Sequence, residues 1–427
     1  MKKLAIIIVN YNVKHYVEQC LLSLEVGIRN YDVGRVSCDE GKMDDGQRHS
    51  TTLSHSVLPT TSIVVYVVDN HSKDGSVEYL KPKFPWVNFI ESSHNLGFAR
   101  ANNIAIRQSE SEYVLLLNPD TIVTETTITE AIAFMDAHPK AGAAGARMLK
   151  TDGSNARESR RGMPTPWVAF YKMMGLCNRY PTNKRFGHYY MGWLPWDEPS
   201  QIEVISGAFC LLRRKALDEV GLLDEDFFMY GEDIDLSYRI LKGGYENWYV
   251  PVSILHYKGE STQKSSFRYV HVFYDAMLIF FRKHYAHASM LITIPIKGAI
   301  YMKALSELIK MQIGKAKKAL GMRKRRQPTP CYLFIGKPES LASCKALAQA
   351  KGLEAAFVEG DETALPQGHQ GMNLPADGKK TYIVYDTDAY SFAKILSLFA
   401  KRPIDGVTLA TYNLQTKTII TEEEIIK

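Results

Sequence analysis

The residues best suited to chemistry stand where apolar runs stop. LLLNPDTIV, at 115–123, breaks off from a leucine run into Asn118, Pro119 and Asp120, so a carboxylate sits at a strand tip on a backbone that proline restricts. VVYVVDN ends in Asp69 and Asn70, and LAIIIVNYN in Asn10, Tyr11 and Asn12. Ligands of an open parallel sheet bind beyond the carboxyl ends of its strands. Asp and Asn are also good turn formers, and any one of these residues could be only that. Their joint occurrence at several strand ends favours a site.

Two further stretches could move protons or hold ions. MYGEDIDLSYR, at 229–239, places Glu232, Asp233 and Asp235 within four positions at a helix start. Acidic residues favour such a place because of the helix dipole. Following Phe227, Phe228 and Tyr230, however, a half-buried acid can serve as a general base. SILHYKGEST, at 253–262, sets His256 at the end of an apolar strand. A lone histidine is most often structural. Beside an aspartate from another strand it is a candidate ligand for a divalent metal. HNLGFARANN, at 94–103, combines a permissive Gly97 with Arg100 and Asn102 in a helical first turn, a weak anion signal.

Elements must exist to carry these residues. LAIIIV at 4–9 reads as a strand buried on both faces, followed by helical spacing at 13–26. Strands are expected at 63–70, 87–91 and 113–118, with a helix over 99–108 between the last two. That alternation predicts a doubly wound α/β sheet. Residues 27–62, polar and without periodicity, are expected to be a mobile surface insertion. Further on, IEVISGAFCLLRR reads as one extended run, then helices are expected at 215–220 and from Asp233, the latter closed by Gly243 and Gly244. Two amphipathic helices follow, at 267–285 and 301–320. Eight basic and no acidic residues lie from Lys310 to Arg326. Gln327–Pro330 reads as a linker, and 331–427 as a small α/β unit with no visible catalytic constellation. The expected division is therefore 1–265, 266–326, 327–330 and 331–427.

Composition narrows the class. The chain has 427 residues, 45% hydrophobic and 23% charged, with a formal net charge of +6. These values suit a globular protein of two or three domains and give no reason to expect a nucleic-acid partner. Six scattered cysteines without a Cys-x-x-Cys pair fit reduced thiols in the cytoplasm. The apolar core of MKKLAIIIVNYN is too short for a signal peptide, and no segment has the roughly 18 apolar residues of a membrane span. The amphipathic stretch 297–326 could be a solvated helix packed on the rest of the protein. It could also attach the protein peripherally to anionic lipid on the inner face of a membrane.

AIIIVNYN, VVDNHSKDGSVEYL, NLGFARANN, LLLNPD, SGAFCLLRRKALDEVGLLDEDFFMYGEDIDLSYR and ILHYKGEST, in that order, resemble the successive blocks of the family 2 glycosyltransferases, in the branch with rhamnosyltransferase-like enzymes. The resemblance spans about residues 3–285. It implies a glycosyltransferase A-type nucleotide-sugar-binding domain. It also implies an inverting transfer of a sugar from a nucleotide-diphosphate donor to a glycan or lipid-linked glycan, in cell-surface polysaccharide synthesis, with Mn2+ or Mg2+. By matched motif, Asn10 and Asp69 would hold the nucleoside, and Asn95 and Arg100 would line the nucleotide pocket. Asp120 matches the last aspartate of an Asp-x-Asp element and would bind the metal, with His256 at a second metal position. Asp233 matches the catalytic base, with Glu232 beside it. The Asp-x-Asp element here is Asn-Pro-Asp, so Asn118 stands where a carboxylate is usual. The 27–62 connection is long for the family, and 331–427 has no counterpart in its pattern. Two other readings remain: a sugar-nucleotide-binding module without activity, and a nucleotidyltransferase. The latter would need a glycine-rich basic loop after the first strand, where this chain has Asn-Tyr-Asn.

Overall fold

A computed structural model describes residues 2–39, 62–257, 267–285, 329–372 and 379–427, with isolated positions at 298–316 and 374. In chain order the first unit contains β1 (Lys2–Asn10), α1 (Lys14–Asp39), β2 (Ile63–Asp69), α2 (Ser76–Leu80), β3 (Val87–Glu91), α3 (Phe98–Gln108), β4 (Ser111–Leu117), β5 (Thr121–Val123), α4 (Thr127–Ala137) and β6 (Ala141–Leu149). It continues with α5 (Pro166–Met173), α6 (Leu176–Arg179), β7 (Ser200–Ile202), β8 (Phe209–Arg213), α7 (Arg214–Val220), α8 (Glu232–Lys242), β9 (Glu246–His256) and α9 (Phe267–Tyr285).

The nine strands form one mixed sheet in the order β3-β2-β1-β4-β8-β6-β9-β5, with β7 also on β9. The first four strands are parallel, and β8 runs antiparallel between β4 and β6. The continuous apolar runs are explained by burial on both faces. In β1, Leu4, Ile6 and Ile8 enter one core with Val17, Leu21 and Leu24 of α1. Ile7 and Val9 enter a second core with Ala99, Ala105 and Ile106 of α3. β4 splits likewise: Tyr113, Leu115 and Leu117 face the first core, Val114 and Leu116 the second.

Register carries the polar strand ends to one rim. Asn10 pairs with Asp69, Ile8 pairs with Leu117, and Leu117 also pairs with Phe209. From the far side of the sheet, His256 of β9 pairs with Thr121 of β5, next to Asp120.

The second unit contains β10 (Cys331–Gly336), α10 (Pro338–Lys351), β11 (Glu354–Glu359), β12 (Thr381–Asp386), α11 (Phe392–Lys401), β13 (Val407–Asn413), β14 (Thr418–Ile420) and β15 (Ile425–Ile426). Its six strands run β11-β10-β12-β13-β14-β15, the first four parallel. Alternation again divides the faces. Tyr332 and Phe334 pack with α10, whereas Leu333, Ile335, Ile383 and Phe399 join the core of the first unit. The two sheets therefore share apolar cover.

Polar contacts pin the seam. The Leu409 amide donates to Thr151 O at 2.8 Å, and the Tyr16 hydroxyl donates to Thr421 O at 2.9 Å. Gly153, at φ +81°, lies so close to Phe399 that a Cβ would fall 2.2 Å from its carbonyl oxygen. The Glu125 carboxylate accepts from the Phe392 and Ala393 amides at 2.7 and 2.9 Å, capping α11 from the other unit.

Several expectations change in detail. Helix α1 runs on to Asp39 through part of the stretch read as an insertion, and residues 40–61 lie outside the described residues. IEVISGAFCLLRR divides into β7 and β8 around a loop at 203–208. The helix expected at 301–320 is helical at its described positions up to 316, and the rest of it lies outside them. α4, β5 and β6 were not legible. β6 is AGAAGARML, poor in strand formers, yet it lies between β8 and β9, where small residues allow close approach. Burial has overridden propensity there.

The cross-unit cap gives a direct test. Glu125→Ala should destabilise the full-length protein by about 1 kcal/mol, the usual worth of a carboxylate on first-turn amides, with the Ser391 cap left in place. A lower urea midpoint at unchanged slope is the expected readout.

Candidate active site

The rim after β1 and β2 is a tight polar lattice. Asn10 is buried, and its Nδ2 donates to Asp69 Oδ1 at 2.7 Å and to Ser72 Oγ at 3.1 Å. Asp69 Oδ2 accepts the Ser72 amide at 2.9 Å. Asn10 Oδ1 is buried without a hydrogen bond, so one acceptor in this lattice remains available. Asn70 reaches sideways: its Nδ2 donates to Asn95 Oδ1 at 3.0 Å and to Gly97 O at 3.1 Å, and its Oδ1 accepts the Leu96 amide at 2.8 Å. Gly97 has φ +81°, and a Cβ there would lie 2.3 Å from Phe228 O, so the NLG loop presses directly on the approach to α8. The Phe98 amide donates to that same oxygen at 2.7 Å.

Arg100, expected in the nucleotide pocket, is placed differently from its neighbours. Its side chain is 54% exposed and lies 3.7 Å from Glu225 on the surface, whereas Asn10, Asp69 and Asn95 join the lattice described above.

At the end of β4, Asn118 and Asp120 converge on one nitrogen. His256 Nε2 lies 3.2 Å from Asn118 Nδ2 and 3.4 Å from Asp120 Oδ1. The Tyr257 amide donates to Asp120 O at 3.0 Å, fixing β9 against the NPD turn, and Thr121 Oγ1 donates to Asn118 O at 2.7 Å. The sequence places Asp120 at a strand tip, where a carboxylate could stand in solvent. Instead its side chain is 1% exposed and that of His256 14%. Charge from Asp120 and, above all, burial push the neighbouring Cys20 thiol up to about 12. A buried carboxylate needs an opposite charge or strong donors. A carboxylate oxygen suits Mn2+ or Mg2+, whereas imidazole is the usual donor to softer transition metals. The 3.4 Å separation is near the ~3 Å between adjacent corners of an octahedral shell. Among the described residues no group of three or more acidic, histidine or cysteine side chains gathers around an ion position, so Asp120 and His256 stand as a two-residue candidate.

The start of α8 gives three acids three environments. Tyr230 and Gly231 both adopt positive φ, at 68° and 88°, and turn the chain sharply into the helix. Asp235 is spoken for: it accepts from Arg239 Nε at 2.8 Å and lies 2.7 Å from His284 Nε2 of α9. Asp233 Oδ2 accepts from Arg161 at 2.5 Å and from the Gly207 amide at 3.4 Å, while Oδ1 accepts the Ile234 amide at 2.8 Å. Glu232 is buried, with Oε2 unbonded, and burial followed by repulsion from Asp233 pushes its carboxyl up to about 8. The loop before β8 joins both ends of the site. The Asn118 amide donates to Ala208 O at 3.1 Å, and Gly207 next to it contacts Asp233.

Arg161 escaped the sequence reading. It lies on the bridge between Arg161 and Val204 with its side chain 12% exposed, and donates to Ile205 O at 2.8 Å as well as to Asp233. Its signal was the pair Arg160-Arg161, of which the fold brings only Arg161 to the α8 acids, Arg160 lying over the Trp196 ring.

Residues 53–221 match the family described as Glycosyl transferase family 2, a span of the first unit that holds β2 to α7. The matched span ends before Asp233 and His256. The chain is 28% identical over 256 residues to the N-acetylglucosaminyl-diphospho-decaprenol L-rhamnosyltransferase of Mycobacterium tuberculosis, covering 53% of this chain and 77% of that protein. It is 26% identical over 157 residues to the low-salt glycan biosynthesis hexosyltransferase Agl10 of Haloferax volcanii, covering 36% of this chain and 46% of that protein. Among solved structures, the mannosyltransferase PcManGT of Pyrobaculum calidifontis, in complex with GDP-Man and Mn2+, superposes with a TM-score of 0.42 at 17% identity, covering 82% of this chain and 81% of that one.

The raised Glu232 carboxyl sets a pH dependence. A folded-state value near 8 against an ordinary value of 4.5 means that the buried group holds its proton where the unfolded chain has lost it. Stability from this group is complete below pH 4.5 and is lost as pH rises toward 8. Glu232→Gln should flatten the fall in Tm between those values and leave the variant more stable than wild type near pH 8, measured by thermal unfolding across the range.

Proposed function

We propose that the protein is an inverting, metal-assisted glycosyltransferase. It moves a sugar from a nucleotide-diphosphate donor to a hydroxyl of a glycan or lipid-linked glycan in cell-surface polysaccharide synthesis. The observation that carries this reading is the buried Asp120 carboxylate 3.4 Å from His256 Nε2, at the same sheet rim as the Asn10–Asp69 pair. The family match and the names of the relatives point the same way.

In this reading Asn10 and Asp69 hold the nucleoside, and the Asn95 loop closes the nucleotide pocket. Arg100 reaches that pocket only by leaving Glu225. Asp120 and His256 hold Mn2+ or Mg2+, with the Asn118 amide alongside. An ion held there would supply Lewis-acid stabilisation of the departing diphosphate, worth several kcal/mol in such reactions. Asp233 takes the proton of the attacking hydroxyl at Oδ1, which accepts one backbone amide, because Oδ2 already accepts from both Arg161 and the Gly207 amide. Glu232, protonated at neutral pH, lies beside it without adding a second negative charge. Displacement from the face opposite the leaving group gives inversion without a covalent intermediate.

Nothing in the site favours a nucleotidyltransferase, and the acids at the start of α8 support an enzyme over a mere binder, since binding needs no base. Among the described residues no helix is long and apolar enough to cross a membrane. The basic stretch 297–326, with Tyr301, Leu305, Ile309 and Ile313 exposed, is proposed as a peripheral attachment to anionic lipid on the cytoplasmic side.

Thermal-shift titration of nucleotide sugars, with and without Mn2+, should identify the donor by a metal-dependent rise in Tm. Asp120→Ala should abolish the metal-dependent part of that rise, and an undiminished rise would reject the assignment. Asp233→Asn should bind the donor as wild type does while losing transfer by ~10²–10⁴-fold, the usual worth of a general base.

A further inference from the structure

Helix α5 presents apolar side chains to solvent in a regular pattern. Trp167, Phe170 and Met174 recur at i, i+3 and i+7, one helical face, and are 60%, 39% and 62% exposed. The face is ordered from beneath. The Trp167 ring lies 6.2 Å from Phe170 and 6.4 Å from the buried Tyr171. Thr165 caps the helix, with Pro166 in its first turn.

The segment that carries this face is cationic, and the one acid among the described residues of the adjoining cleft, Glu203, is paired with His188. From Ser159 to Trp196 the chain has six arginines and lysines and no aspartate or glutamate. Arg160 and Arg161 turn inward. Arg179, Lys184 and Arg185 are exposed, and Lys172 lies over the Tyr189 ring at 3.4 Å. An apolar stripe of tryptophan, phenylalanine and methionine, bordered by cations with long stems, suits the boundary between headgroups and acyl chains, with the charges reaching anionic headgroups. Trp167 and Tyr171 also line a cleft of about 760 Å3, whose far wall is Tyr238 and Leu241 of α8, the helix that begins at Glu232 and Asp233.

We propose that the Trp167–Phe170–Met174 face of α5 is a membrane-contact surface selective for anionic lipid, separate from the 297–326 stretch. It sets the mouth of the cleft against the bilayer. This inference does not depend on glycosyl transfer and is tested without it.

The test is co-flotation of the full-length protein with vesicles of phosphatidylcholine alone or mixed with phosphatidylglycerol. Wild type should float with the mixed vesicles and not with the neutral ones. A double variant, Trp167→Ser with Phe170→Ser, should partition at least tenfold more weakly at unchanged Tm, and Lys184→Glu with Arg185→Glu should do the same. Tyr301→Ser with Leu305→Ser, on the other stretch, is the comparison. The proposal is overturned if wild type fails to float or floats equally with neutral vesicles. It is also overturned if the Trp167 variant floats like wild type, or if only the Tyr301 variant loses binding. A concentration-dependent dimer that the Trp167 variant abolishes would assign the face to a second copy of the chain and overturn it equally.

Discussion

A carboxylate almost wholly removed from water, with an imidazole as its near neighbour, is the constraint around which this protein is organised. Burying an unbalanced charge costs several kcal/mol even after relaxation. Asp120 tolerates that position because β4 and β9, which do not touch each other in the sheet, are brought together by β5. The NPD turn lets the chain leave β4 and at once begin β5 alongside His256. The apolar runs that build the sheet therefore also decide where its charges can be placed.

The second centre follows another logic. Three acids in four positions at one helix start would repel one another in water, and the fold separates them by partner. Asp235 is held by Arg239 and His284, Asp233 by Arg161, and Glu232 is kept protonated by burial. Asp233 is thus left as the charged acid of the pair at the helix start, with the Arg161 guanidinium against it. Positive φ at Tyr230 and Gly231 makes this possible by aiming the first turn inward.

Much of the first unit was legible because parallel strands buried on both faces must be apolar throughout, and their polar ends are then conspicuous. Asn10, Asp69, Asn118, Asp120 and His256 stood out for that reason. Position along the chain could not show that Arg100 prefers Glu225, because surface pairing depends on a loop more than a hundred residues away. Arg161 was invisible for the same cause: its partner lies 72 residues on. β6 was missed because alanine and glycine carry little strand signal and are chosen there for thickness. The second unit was readable as α/β, but its hold on the first was not, since Glu125 reads as an ordinary loop acid until α11 is placed over it.

That hold bears on how the protein could be taken apart. Tyr257, next in chain to His256, is buried with its ring 5.3 Å from Tyr16, whose hydroxyl reaches across to Thr421 of the second sheet. The C-terminal sheet is consequently a wall of the catalytic unit, not a cassette on a tether. Grafting it elsewhere, or exchanging it for an unrelated module, would strip apolar cover from α1 and loosen the backbone that carries the imidazole.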